Sequence, residues 1–178
     1  MEIFNLIIAI GVVALQVWVA IMLYLLVFYK RFTGSPIILW HKRHSITLLA
    51  LVSLAGVLGS LTYSQIIGFE PCVLCWWQRI FQYPLLVIFG MGAILKEKGR
   101  NIIAYGLPLA LIGIGISTYH YLVQRLDSVT SSCDVLGQSA SCAGYYVFEF
   151  GYITIPMMAL TIFAVSIVLM IFAYKRNG

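Results

Sequence analysis

The chain has 178 residues, of which 62% are hydrophobic and only 10% charged. A soluble domain carries about 25% charged residues, so this composition excludes a water-solvated globule and defines an integral membrane protein. The length admits one compact bundle and no separate soluble domain. The net charge of +5 sits in short connections, which excludes a nucleic-acid surface and instead marks membrane sidedness.

A helix needs about 20 apolar residues to cross a hydrocarbon layer about 30 Å thick. Five runs meet that length, at 3–29, 46–67, 75–95, 102–124 and 153–173. The first does not read as a cleaved signal peptide. Glu2 is its only early charge, its apolar core is long, and no small-residue cleavage site follows. Residues 1–33 are expected to form an N-terminal transmembrane helix, or an uncleaved anchor. Residues 34–44, entered through Thr33-Gly34-Ser35-Pro36, are expected to form a cytoplasmic linker. Residues 45–178 are expected to form a four-helix unit. The fold class is therefore an all-α transmembrane bundle of four helices with one extra N-terminal helix.

Within that unit, the second run carries Ser53, Ala55, Gly56, Gly59 and Ser60, and the fourth carries Gly106, Ala110, Gly113, Gly115 and Ser117. Small residues let helices approach closely in lipid. Gly68-Phe69-Glu70-Pro71 breaks the chain, and Pro71 suits the first turn of the next helix. Trp76, Trp77, Tyr83, Tyr119 and Tyr121 fall near helix ends, as interfacial aromatics do. The connection 125–151 begins polar and becomes aromatic from Tyr145 to Phe150, a composition suited to the headgroup plane.

Charge sets the orientation. Lys30, Arg31, Lys42 and Arg43 lie in the first connection, Lys96, Lys98 and Arg100 in the third, and Lys175 and Arg176 at the C-terminus. Nine of the eleven basic residues thus agree with an outward N-terminus and a cytoplasmic C-terminus. Glu2, Glu70, Asp127, Asp134 and Glu149 fall on the other side, with Arg125 as its loop cation. All four cysteines face outward in this topology, toward a compartment where thiols form or exchange disulfides.

Cys72 and Cys75 form a Cys-x-x-Cys pair at a helix start, where backbone N–H groups stabilise an anion and favour a thiolate. Arg79 follows Cys75 by four residues and Cys72 by seven, so the three share one face. A cation about one turn inside the surface either stabilises a nearby anion or snorkels to headgroups. Cys133 and Cys142 enclose a polar octapeptide. The pair could be redox-active or a structural disulfide. A four-thiolate zinc site is a further alternative, although no histidine or carboxylate cluster stands beside it in the sequence. His120 ends the fourth run at the depth of Arg79. It could donate a hydrogen bond, relay a proton, or simply pack.

Pro71-Cys72-Val73-Leu74-Cys75 followed by Trp76-Trp77-Gln78-Arg79 resembles the signature of the DsbB family of bacterial disulfide-bond-formation proteins, including its BdbC-type members. The run from His120 to Gln124, Cys133-Asp134 and Gly151-Tyr152-Ile153-Thr154-Ile155-Pro156 are also similar, so the resemblance covers about residues 45–173. It implies a bundle in the bacterial cytoplasmic membrane. Such a bundle reoxidises an extracytoplasmic DsbA-like thiol oxidase of thioredoxin fold and passes the electrons to quinone, either menaquinone or ubiquinone. Under that likeness Cys72, Cys75, Cys133 and Cys142 are catalytic, and Arg79, His120 and Trp76 bind the quinone. Cys75 sits beside its ring and Cys72 exchanges with the loop pair. Cys133 is the sulfur that the partner attacks, with Cys142 as its mate.

Two features depart from the pattern. The helix at 3–29 is additional, and the loop cysteines are only nine positions apart, as in BdbC-like members. Related vitamin K epoxide reductase-like proteins place their loop cysteines before the Cys-x-x-Cys, the reverse of the order here. The alternatives to an oxidase are a thiolate metal-binding protein and a structural membrane subunit.

Overall fold

The structure, a computed structural model, describes residues 2–32, 34–96, 99–126 and 142–176. The elements in order are α1 (Glu2–Val27), the single turn α2 (Tyr29–Phe32), α3 (Pro36–Leu61), a π-helical turn (Thr62–Ile66), α4 (Val73–Ile94), α5 (Gly99–Arg125) and α6 (Ile155–Arg176). Among the described residues the only β pairing is an isolated bridge between Glu149 and Ile153. The all-helical class expected from the apolar runs is what forms.

α3 packs on α4, α4 on α5, α5 on α6, and α6 back on α3, so these four close a ring; α1 lies outside it against α6. The ring's core is apolar. Leu49 of α3, Leu85 and Phe89 of α4, and Phe163 and Leu169 of α6 are each 1% exposed or less. Glycines admit the large rings. An added Cβ at Gly113 would lie 2.4 Å from the Phe163 ring, and one at Gly106 would lie 2.7 Å from Phe89. Gly106, Ala110, Gly113 and Ser117 of α5 are all buried, as the small-residue reading requires. Gly59 and Gly115 do not share that role, since a Cβ at either would meet nothing within 4 Å.

The expected linker at 34–44 is mostly helix. Ser35 is extended (φ −62°, ψ 133°), and Pro36 opens α3 at its first position, where the missing N–H costs nothing. His41, Lys42, Arg43 and His44 therefore ride on the first turns of α3. Together with the π-helical turn this helix runs 31 residues, about 45 Å at 1.5 Å per residue. It exceeds the hydrocarbon thickness, so its basic end emerges.

Among the described residues, four helices are long and apolar enough to cross a membrane: α1, α3 with its π-helical turn, α5 and α6. α4 has comparable length, 22 residues, but its polar residues lower its apolarity. Gln78 and Gln82 are buried inside the ring, 4% and 5% exposed. With α4 enclosed between α3 and α5, the chain is a multi-pass membrane protein.

Candidate active site at the start of α4

The break before α4 is built locally. The π-helical turn closes with Ile67 N–H donating to Thr62 O (2.9 Å) and Phe69 N–H to Tyr63 O (2.9 Å). Gly68 then reverses the chain at φ +84°, a conformation that favours glycine. Pro71 does not enter the helix as expected but precedes its cap. Cys72 is the N-cap residue (φ −68°, ψ 170°), and its Sγ accepts the N–H of Cys75 at 3.4 Å. A sulfur thus occupies the place of the usual hydroxyl or carboxylate cap.

That geometry makes the two thiols unequal. Cys72 is 2% exposed. Its S–H donates to Cys75 Sγ at 3.1 Å. The Cys72 thiol is pushed up to about 12, first because that hydrogen bond holds its proton and second because it is buried; contact with His120 opposes both. His120, 1% exposed, places Nε2 3.2 Å from Cys142 O and 3.6 Å from Cys72 Sγ. A carbonyl only accepts, so Nε2 carries a proton, and the order His120 N–H, Cys72 S–H, Cys75 sulfur forms a continuous hydrogen-bond chain.

The last turns of α5 hold the returning segment through His120 and Gln124, one helical turn apart. His120 binds the carbonyl of Cys142, while Gln124 Nε2 donates to Gly144 O at 3.0 Å. Tyr145 Oη donates in turn to Gln124 O. Arg125 Nη2 donates to Gly151 O at 2.6 Å, just beyond Phe150 and Gly151, both at positive φ. Cys142, 2% exposed, consequently packs with Cys72 and Val123 in one buried cluster beside Cys75. Cys133 lies outside the described residues.

Arg79 makes no contact with either thiol within hydrogen-bond distance. Its Nε donates to Ser60 Oγ (3.0 Å) and its Nη2 to Ser60 O (3.3 Å), with the guanidinium 5.2 Å from the Trp76 ring centre. Cys75 and Arg79 instead share the wall of one cavity of about 450 Å³, which also takes in Gln78 and Gln82 of α4. The remainder of its lining is largely apolar and comes from α1, α3 and α6, with Tyr63 and Ser64 of the π-helical turn, Phe69, Glu70 and Pro71 of the break, and Tyr146 of the return segment closing the thiol end. Trp76 and His120 are not on that wall. Trp76 is half exposed and backs the arginine, while His120 faces the Cys72 side. Sequence reasoning missed Ser60, the residue that aims Arg79, and missed that Gln124 clamps the return segment.

Where the sequence sets no histidine beside the cysteines, the fold does: Cys72 Sγ, Cys75 Sγ and a ring nitrogen of His120 all lie within 4.8 Å of one another. A dithiol of one buried and one half-buried cysteine, with a histidine beside it at one end of a multi-pass bundle, suits a membrane protein of thiol–disulfide chemistry. The family model described as Disulfide bond formation protein DsbB matches residues 42–173, and the chain belongs to that family. It is 44% identical over 108 residues to Probable disulfide formation protein C 1 of Bacillus anthracis, covering 61% of this chain and 76% of that protein. It is 41% identical over 120 residues to Disulfide bond formation protein C of Bacillus subtilis, covering 67% and 85%. The match to Probable disulfide formation protein of Oceanobacillus iheyensis is 41% over 132 residues, covering 72% and 86%. No solved structure matches. The chain is thus a disulfide-generating oxidoreductase of the membrane.

Proposed function

We propose that this protein is a thiol:quinone oxidoreductase of the bacterial cytoplasmic membrane. It reoxidises an extracytoplasmic DsbA-like partner of thioredoxin fold and so supports disulfide formation in exported proteins. The observation that carries the reading is the position of Cys75. Its sulfur accepts the proton of Cys72 on one side and lines the large cavity with Arg79 on the other.

The residues present fit a quinone. The cavity's largely apolar walls suit a flat, lipid-soluble ring, and the guanidinium of Arg79 has N–H groups beyond those bound to Ser60 for a ring carbonyl, whereas the Gln78 amide already donates to Ser117 Oγ at 3.2 Å. When bound, quinone accepts two electrons and two protons. Everything else falls to the chain's own groups. A partner thiolate attacks Cys133 of a Cys133–Cys142 disulfide, and the partner's second thiol releases it oxidised. Cys142 then attacks Cys72 of a Cys72–Cys75 disulfide, a step supported by the packing of Cys142 and Cys72 in one cluster. Cys75 leaves as thiolate, favoured by the N–H groups of the α4 start. His120 steadies charge arising on Cys72, and Arg79, fixed by Ser60, steadies charge arising in the cavity. Re-forming the Cys72–Cys75 and Cys133–Cys142 bonds balances the cycle: one partner dithiol becomes a disulfide for each quinone reduced.

The test uses the purified full chain in detergent with a reduced thioredoxin-fold partner and a short-tailed quinone, following quinone absorbance. Turnover is expected, with Cys75→Ser lowering it at least about 100-fold while mixed disulfides with the partner still form. Full turnover by Cys75→Ser would remove the assignment. The cluster of Cys72, Cys75 and His120 favours one second reading, a non-enzymatic metal site. That reading requires stoichiometric zinc or copper in the purified protein and no quinone turnover.

A further inference from the structure

We propose that α1, which lies outside the family-matched residues, is a wall of the acceptor cavity, and that its Gly11 keeps open a lateral path from the bilayer to the Cys75 sulfur. This deepens the quinone reading and rests on it for the identity of the ligand.

The rotation of α1 is fixed by polar contacts that are hard to exchange in hydrocarbon. Gln16 Nε2 donates to Thr161 Oγ1 of α6 (3.1 Å), and its Oε1 accepts from Tyr152 Oη (2.9 Å). Nearer the N-terminus, Tyr63 Oη donates to Asn5 Oδ1 at 3.2 Å. Ala9 and Val12 are buried with Ile153, against Met157 and Met158. A helix held this way presents a second, adjacent stripe, and that stripe lines the cavity: Ile7, Ile8, Gly11, Val12 and Leu15. These positions recur at helical spacing and cover about 12 Å of helix at 1.5 Å per residue.

Across the cavity α3 contributes Gly56, Gly59 and Ser60. The glycines on the two walls differ. A Cβ at Gly56 would run into Gln82 Nε2 at 2.0 Å, so that one serves packing; a Cβ at Gly11 or at Gly59 would meet nothing within 4 Å. α1 packs chiefly on α6 and meets α3 and its π-helical turn through Trp18 on His41 and through Phe4 and Asn5 on Tyr63, which leaves the stretch of the seam between those contacts, with Gly11 and Ile7 along one side, as the place where bilayer and cavity meet. Ile7 is 61% exposed. A phospholipid acyl chain could fill apolar space, but it offers nothing to the guanidinium of Arg79 or the sulfur of Cys75. An amphiphile with a carbonyl-bearing ring and an apolar tail satisfies both ends.

The experiment uses full-length protein in detergent and two readouts. One is the KM for a decyl-tailed benzoquinone with reduced partner. The other is the rate at which N-phenylmaleimide, a lipid-soluble alkylating agent, modifies Cys75 in the reduced protein, located by mass spectrometry. Gly11→Leu is expected to raise KM about tenfold and to slow Cys75 alkylation by a similar factor, the scale of filling a formed space with a branched side chain. Gly115→Leu, on open α5 surface away from the cavity, is expected to change neither. Should Gly11→Leu fold poorly by thermal unfolding, Ile7→Trp, at an already exposed position, provides the same obstruction. If wild-type protein reduces no quinone, the ligand reading fails, yet the alkylation comparison still decides whether α1 walls the path. Unchanged alkylation and KM in a folded α1 variant would overturn the proposal.

Discussion

At the scale of single residues the proposed chemistry rests on a sulfur that caps a helix. Cys72 accepts a backbone N–H and donates its own proton to Cys75, so the pair holds one proton between two sulfurs of different character. A thiol carries charge only above its pKa. Raising that of Cys72 to about 12 therefore keeps it neutral, and unreactive as a nucleophile, through the range where an ordinary cysteine ionises. In the reduced protein, alkylation of Cys72 by iodoacetamide should rise about tenfold per pH unit from pH 7 to 10 without levelling, because the thiolate fraction of a group so far below its pKa grows in proportion to hydroxide. An ordinary cysteine would level off above about pH 9. Replacing the acceptor, Cys75→Ala, removes the largest cause and should move the levelling of Cys72 to lower pH, with burial still holding it above an ordinary cysteine. Site-resolved mass spectrometry reads both. A plateau for Cys72 near pH 8.5 in the unmutated pair would show that the two thiols do not share a proton in this way.

At the scale of elements, α5 shows how a lipid-embedded bundle packs without a hydrophobic driving force. Gly106 and Gly113 are receptacles for aromatic rings, and Gly113 is the tighter, with three Phe163 ring atoms within 2.7 Å of an added Cβ. Phe163 is fully buried and has nowhere to retreat. Gly113→Ala should destabilise the protein by about 1–3 kcal/mol, the usual cost of overpacking a filled core. Gly115→Ala, two residues on and facing open space, should be neutral or stabilising by up to about 1 kcal/mol from helix propensity. Thermal unfolding in detergent compares them, and equal midpoints would mean the ring does not pack as described. The same contrast explains what was legible. The repeated small residues of α5 announced close packing, but sequence did not separate Gly113 from Gly115, because the difference lies in a residue of another helix. The helix start at Cys72 was readable to within two residues from Pro71 and the apolar run behind it. Arg79 was readable as a cation about one turn inside the surface on the Cys75 face, whereas its anchor Ser60 was not, being 19 positions away. Likewise nothing in 142–145 alone foretold its docking on His120 and Gln124. The role of α1 was invisible because an apolar helix does not name its neighbours, and the basic residues of 34–44 masked a helix as a linker.

At the scale of the whole molecule, the bundle separates its charges from its thiols. At one end Tyr29 gathers Lys42, whose Nζ donates to its hydroxyl at 3.1 Å, and Lys175, whose Nζ sits 3.6 Å from the ring centre. These lysines come from the first connection and the C-terminus, two segments assigned to one face by charge alone. At the opposite end lie the dithiol, the return segment and Arg125, the outward loop cation, engaged with the Gly151 carbonyl and lying 5.4 Å from the ring centres of Tyr121 and Phe148. In the proposed orientation, with the basic connections on the cytoplasmic face, the sulfurs lie outside. Consider a chain whose four native cysteines are serine and which carries one new cysteine. Leu126→Cys, at an exposed position beside Arg125, should be modified by a membrane-impermeant maleimide in intact cells. Gly34→Cys, exposed before α3 where a side chain meets open space, should be modified only after lysis. The reversed pattern would hold the dithiol in a reducing compartment, where thiols persist and a disulfide made at Cys72 and Cys75 would be lost to the cytosolic thiol pool rather than handed to exported proteins. No adjustment of cysteine roles could then rescue an oxidase, because the direction of electron flow is set by which face of the membrane the sulfurs meet.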